Sequence, residues 1–151
     1  MRVAGDKRLI VFGYLFRVAN RLQIKMDSLL TDLTAKQWFV LLSLGLFDSP
    51  PTLKQLAAMC DSSHQNIKQI VTKLSEKGFV TVTSDGKDGR AMRIAATEKI
   101  DMWDKEYEEE ASKFVDEMFA GLSSFDISVL CTSILKVFEN LDNMKGRGGD
   151  E

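Results

Sequence analysis

The sequence is poor in the residues that build metal sites and covalent cross-links. In 151 residues it has one histidine, His64, and two cysteines, Cys60 and Cys131. One histidine excludes a multi-histidine metal centre. Two cysteines exclude a disulfide framework and a four-thiolate zinc site. The only two prolines stand together at Pro50-Pro51, where they stop a helix. No uncharged apolar run approaches the roughly 18 residues that a membrane span needs, so no membrane partner is expected. The apolar start is followed by Arg17 and Arg21 without a small-residue cleavage site, so no secretory signal is expected. These absences predict a soluble protein of the reducing cytoplasm.

The ingredients of catalysis are missing as well. There is no Gly-rich phosphate loop and no nucleophile elbow. The carboxylate pair Asp85 and Asp88 falls on a turn-rich segment, where no apolar wall could shift a pKa. No enzyme, catalytic residue, metal or cofactor is therefore expected.

What is present suits one packed unit. Hydrophobic residues make up 44% and charged residues 28%, with a net charge of −2. A chain of this size can bury about 70% of its unfolded surface. The charge is unevenly spread: residues 52–93 carry seven basic and four acidic side chains, and residues 94–126 carry three and ten. A basic middle and an acidic late third suit a nucleic-acid surface set apart from an acidic region.

Periodicity predicts the elements. Phe12, Leu15, Phe16, Ala19, Leu22 and Met26 form one stripe of a helix over 7–30. Thr34-x-x-Gln37 is a capping box that opens a helix from Ala35 to about Phe47, apolar nearly all round. Thr52-x-x-Gln55 opens a short helix to Met59. Ser62-x-x-Gln65 reads as a third box, opening a helix to about Lys77 with Gly78 as its left-handed cap. The segments 79–83 and 90–95 then pair as a hairpin across a tip rich in Gly and Asp. Thr97 is expected to cap a long helix over 98–121, with a seam of Ile100, Trp103, Tyr107, Ala111, Phe114, Met118 and Leu122. Ser123 caps a last helix, about 124–144, with Ile127, Leu130, Ile134, Val137, Phe138 and Leu141 inward. Residues 145–151 read as a disordered tail. Cys60 and Cys131 read as small core residues, and Trp103 and Tyr107 as dimer packing.

The fold class is mainly α (α+β), a winged helix-turn-helix with a two-stranded β wing. Ile67, Val71 and Leu74 would bury one face of the helix after Ser63. The opposite face is Gln65, Asn66, Lys68, Gln69, Thr72 and Lys73. Amides and ammoniums read base edges and neutralise phosphates in a major groove. Ser62, Ser63 and His64 stand at the helix start, where free N–H groups favour a phosphate. Lys87 and Arg90 stand on the hairpin tip, where an Arg can enter a narrow minor groove. The alternative is a merely solvated face, but residues 62–75 contain no carboxylate, which such a face would usually carry.

The run LTAKQWFVLLSL, then LKQLAAMCDSSHQNIKQIVTKLSEKGFV, then SDGKDGRAMRIAAT resembles the MarR family of bacterial and archaeal transcription regulators over about residues 9–142. Its most specific part is Lys77-Gly78-Phe79-Val80 with Asp85-x-x-Asp88-x-Arg90. The resemblance implies dimerisation helices at 7–30 and 98–144 flanking a DNA-binding lobe at 34–96. It implies a homodimer on a palindromic double-stranded operator, nucleoid-associated when bound. It makes the helix from Ser63 the recognition helix and Arg90 the wing arginine, with Asp88 bracing the wing. It also implies a repressor relieved by a small aromatic or anionic effector, for which Phe12, Phe16, Arg17 and Trp38 are candidates. Ala96-Thr97-Glu98-Lys99-Ile100 departs from the family's Leu-Thr-x-x-Gly, and the first helix has no cysteine for peroxide sensing. A winged-helix module that binds protein instead of DNA is the alternative.

Overall fold

The computed structural model describes residues 5–84 and 92–144. The expectations for the hairpin tip, with Asp85, Lys87, Asp88 and Arg90, and for the tail at 145–151 lie outside the described residues. Elements run α1 (Lys7–Leu29), α2 (Ala35–Leu44), α3 (Leu53–Met59), α4 (His64–Glu76), β1 (Val80–Ser84), β2 (Met92–Ala96), α5 (Lys99–Met118) and α6 (Ser124–Asp142). The chain divides into two units, Met1–Glu106 and Tyr107–Glu151, and the division falls inside α5.

In the first unit, polar side chains set the helix starts. Asp6 accepts from the backbone N–H of Arg8, whose guanidinium holds the carboxyl below its usual range. Thr34 with Gln37, and Thr52 with Gln55, form the two expected capping boxes. The third box does not form. Ser63, not Ser62, caps α4 by accepting from the Asn66 N–H, while Ser62 accepts from the Asn66 side-chain amide. Asp61 turns the chain between α3 and α4 at φ 47°, a left-handed conformation that Asp tolerates better than most residues. Gly78 ends α4 in the expected left-handed conformation, at φ 78°.

The core lies where α2, α3, α4 and the two strands meet. Leu56, Ile67, Leu74, Phe79 and Ile94 are its largest fully buried side chains. Each such side chain contributes about 1.5–3 kcal/mol by leaving water. β1 and β2 pair antiparallel with Val80 opposite Ala96 and Val82 opposite Ile94. Thr52 makes an isolated bridge to Arg93, and the Ile94 N–H donates to the Pro51 carbonyl at 3.0 Å, so the wing is anchored at the base of α3.

Long polar side chains tie the elements together. Gln37 is buried; its side-chain carbonyl accepts from the Thr34 N–H and from the Lys77 ammonium at 3.0 Å. Lys77 also donates to the Asp32 carbonyl, joining the end of α4 to the α1–α2 connection. Asp27 accepts from the Ala35 N–H at 2.6 Å, fixing α1 to α2.

Several expectations are corrected. α2 ends at Leu44, with Gly45 as its cap, and is not buried all round. It hides Gln37 and Ser43 and exposes Phe39 and Leu42. Thr97 does not cap α5: its hydroxyl donates to the carbonyls of Gly78 and Phe79, so it pins the start of β1. Trp103 is buried edge-on against Phe79, with ring centroids 6.5 Å apart, so its packing is completed within the chain. Lys99 donates to the Lys77 carbonyl and sits 4.5 Å from the Phe79 ring centre. Cys60 is only half-buried.

In the second unit Tyr107 is buried. α6 opens with a capping box of Ser123 and Asp126. It has no buried residue: Leu130, Ile134, Val137, Phe138 and Leu141, expected inward, are exposed, and Ile127 is half-buried. Cys131 is exposed instead of core. α1 in the first unit likewise buries nothing, and its stripe residues Phe12, Leu15 and Phe16 are exposed.

Candidate nucleic-acid interface

α4 has one apolar face. Ile67, Val71 and Leu74 recur at steps of four and three, and all three are buried. Gln65, Asn66, Lys68, Gln69, Thr72 and Lys73 are exposed, as are Ser63 and His64, and Ser62 is half-buried. The sequence-predicted helix residues therefore stand together on one solvent face. At 13 residues the helix is about 20 Å long, enough to lie along a stretch of major groove.

The hydrogen bonds show which groups remain to meet a partner. Ser63 accepts the Asn66 N–H at 3.2 Å, and its own hydroxyl proton is left to donate. Asn66 donates one side-chain hydrogen to Ser62 at 2.8 Å. Thr72 is exposed and turns its hydroxyl back to the Lys68 carbonyl at 2.9 Å, which leaves its methyl group and a hydroxyl acceptor for a partner. The first turn of α4 has no acidic side chain, so the positive end of the helix dipole is uncompensated and suits a phosphate. Lys87 and Arg90 lie outside the described residues. Arg93, farther along β2, is turned to the Pro50 carbonyl at 3.3 Å.

The effector candidates are not brought together. Trp38 is half-buried and lines a cavity of about 420 Å³ between α1, α2 and the start of α4. Phe12, Phe16 and Arg17 do not line it. Phe12 and Phe16 meet edge-on at 5.3 Å on the exposed surface of α1, and the Arg17 guanidinium lies 5.0 Å from the Tyr14 ring centre. The walls of the cavity include Leu22, Met26, Cys60 and Ile70, none of them singled out as a ligand residue by sequence reasoning. They come from three separate segments, and no local motif joins them. Among the described residues, no group of three or more His, Cys, Asp or Glu could hold a metal ion. No helix among them is long and apolar enough to cross a membrane.

A family model described as the MarR family matches residues 31–91, which span α2, α3, α4 and β1. The matched segment falls on the helix-turn-helix lobe. The MarR fold extends beyond the matched segment in solved structures. A MarR protein from Peptoclostridium difficile is 21% identical, with 95% of this chain and 92% of that chain covered, at TM-score 0.74. FabT of Streptococcus pneumoniae, solved in complex with DNA, is 17% identical over 92% of this chain and 100% of that one, at TM-score 0.69. BpsR of Bordetella bronchiseptica is 19% identical over 83% and 97%, at TM-score 0.71, and its DNA binding is regulated by 6-hydroxynicotinic acid. The MarR family comprises transcription regulators, not enzymes.

Proposed function

We propose that this chain is a homodimeric transcription regulator of the prokaryotic cytoplasm that represses by binding a palindromic operator. The observation that carries the reading is the carboxylate-free, exposed face of α4 laid over a fully buried apolar face inside a MarR-type lobe. In this reading Gln65, Asn66 and Gln69 read base edges, Lys68 and Lys73 neutralise phosphates, and Ser62, Ser63 and His64 meet the backbone. Thr72 offers its methyl to a base. Lys87 and Arg90 of the wing reach the minor groove. The exposed apolar residues of α1 and α6 support a second copy as partner, with 7–30 and 98–144 as dimerisation helices around the lobe at 34–96. A two-fold axis then presents two recognition helices to half-sites about 34 Å apart. Relief by a small effector is part of the reading, in keeping with the regulation of BpsR by a small aromatic acid.

The test is a binding titration on the DNA upstream of the protein's own gene, at two salt concentrations, against a scrambled duplex. Preferential binding that weakens by about 0.9 decades per decade of salt for each neutralised phosphate is expected. Arg90→Ala should weaken it by about 1–3 kcal/mol while the dimer stays folded. Equal, weak binding to both duplexes would overturn the regulator reading. It would favour a winged-helix module that binds protein, for which the net −7 of residues 94–126 would be the natural surface.

A further inference from the structure

We propose that Lys77 is a positioning residue for DNA binding: it fixes the angle between the lobe that carries α4 and the two chain segments that lead to the dimerisation helices. The inference rests on the dimeric DNA-binding reading and adds to it the residue that sets the spacing of the two recognition helices.

The two ends of α4 are held differently. At its start the side-chain hydrogen bonds are local: Ser63 caps the Asn66 N–H and Asn66 donates to Ser62, both within four residues. At its end they reach across the chain. The Lys77 ammonium donates to the Asp32 carbonyl at 2.6 Å and to the Gln37 side-chain carbonyl at 3.0 Å, 45 and 40 residues away. The Lys77 carbonyl accepts from the Lys99 ammonium at 2.8 Å. One residue therefore joins three segments. Its head group holds the connection that follows α1, and its backbone holds the first turn of α5. Thr97 strengthens the second tie by donating to the carbonyls of Gly78 and Phe79 at 2.7 and 3.2 Å.

The chemistry suits a stiff joint. Charge-assisted hydrogen bonds are shorter and stronger than neutral ones. Gln37 is buried, and its oxygen also accepts from the Thr34 N–H at 3.1 Å, so the acceptor is held in place. The Lys77 ammonium also complements the negative end of the α4 dipole.

The length of α4 amplifies any change at this joint. The helix is about 20 Å long. A rotation of about 10° at Lys77 moves its first turn by about 3.5 Å, close to the base-pair step of about 3.4 Å. A two-fold dimer makes the same displacement twice, so two helices set for half-sites about 34 Å apart lose their register.

The test reads angle and DNA binding separately in the full chain. For the angle, nitroxides are placed at Arg21→Cys on α1 and Gln69→Cys on α4, both exposed, with Cys60→Ser and Cys131→Ser removing the native thiols. Mixing with excess unlabelled protein leaves one labelled copy per dimer, and pulsed electron paramagnetic resonance reads the distance without DNA. The parent should give one narrow distribution. Lys77→Met, which keeps the stem and removes the charge, should broaden it. Lys77→Arg, which keeps N–H donors for both carbonyls, should preserve the parent width. For binding, the operator is compared with duplexes whose half-sites are one base pair closer or farther apart. Lys77→Met should bind the operator about tenfold more weakly, the scale of one lost charge-assisted hydrogen bond, and should lose the parent's preference among the three spacings. An unchanged distance distribution in Lys77→Met overturns the proposal. So does equal weakening on all three duplexes, which a purely structural role would give. If the parent binds none of the duplexes, the regulator reading fails, and the distance distribution by itself still decides whether Lys77 holds the angle.

Discussion

The lobe from Ala35 to Thr97 and the helix α6 are similarly rich in apolar residues, yet they treat them in opposite ways. In the lobe, Leu56, Leu74 and Phe79 are completely shielded from solvent. In α6, Phe125, Leu135, Phe138 and Leu141 are each more than half exposed. The lobe has three helices and a hairpin to close around one centre, so a single chain completes its core. A lone amphipathic helix has one apolar stripe and needs another surface to cover it. In the proposed dimer the second copy would supply that surface. The contrast teaches that the lobe should be stable on the strength of its own chain, whereas α6 should depend on protein concentration.

Breaking the lobe should have the largest effect. Phe79 is fully buried against Trp103 and under the Lys99 ammonium. Phe79→Ala should cost about 3–5 kcal/mol, read by urea denaturation, and the loss should be the same at every protein concentration. A loss below 1 kcal/mol, on the scale of a surface change, would mean the lobe is not an independent core.

Breaking α6 should act on assembly instead. Phe138→Asp places a charge on the exposed stripe and, in a two-fold dimer, does so twice. At about 2 kcal/mol per copy, the dimer Kd should rise about 1,000-fold, read by sedimentation at a series of concentrations. The lobe's near-ultraviolet circular dichroism should be unchanged. An unaltered oligomeric state would sink the dimer reading of α6.

Smaller changes sharpen the comparison at the ends of helices. Gly78→Ala adds a Cβ that meets nothing closer than the Lys99 Cδ at 4.0 Å, so only the left-handed backbone at φ 78° resists it. The cost should be about 1–2 kcal/mol. Gly78→Asn should recover part of this, as Asn tolerates that conformation.

The smallest effect should come from Asp126. Ser123 donates to its carboxylate through both hydroxyl and backbone N–H, at 2.6 and 2.9 Å, which lowers its pKa. A depressed carboxylate stabilises above its unfolded pKa, and that stabilisation is lost as pH falls through the folded value, here below 3.8. Helix content by circular dichroism should fall slightly over that range. Asp126→Asn should remove this component of the acid response, and an identical acid limb in the variant would refute the assignment.

Much of the lobe was legible because its signals are local. The Thr34 and Thr52 boxes, Gly78 and the Ile67–Val71–Leu74 spacing each lie within a few residues and form as expected. The face of α4 followed directly, since burying one side of a helix exposes the other. The misplacements came from competition between neighbours. Ser62 and Ser63 both have the chemistry of a cap, and backbone geometry chose Ser63. Thr97 has a capping residue's side chain, but the carbonyls of Gly78 and Phe79, left at the end of α4, took its hydroxyl.

The sequence alone determined element type, element order and the polarity of the exposed α4 face, because helical and strand periodicities and caps are properties of adjacent residues. Tertiary structure decided what distant residues share. It paired Lys77 with Gln37, set Trp103 edge-on against Phe79, and left a cavity between Leu22, Trp38 and Ile70. It also decided which apolar stripes find cover within the chain. A periodic pattern shows that a face is apolar but not what meets it, since that depends on chain segments brought together only by folding.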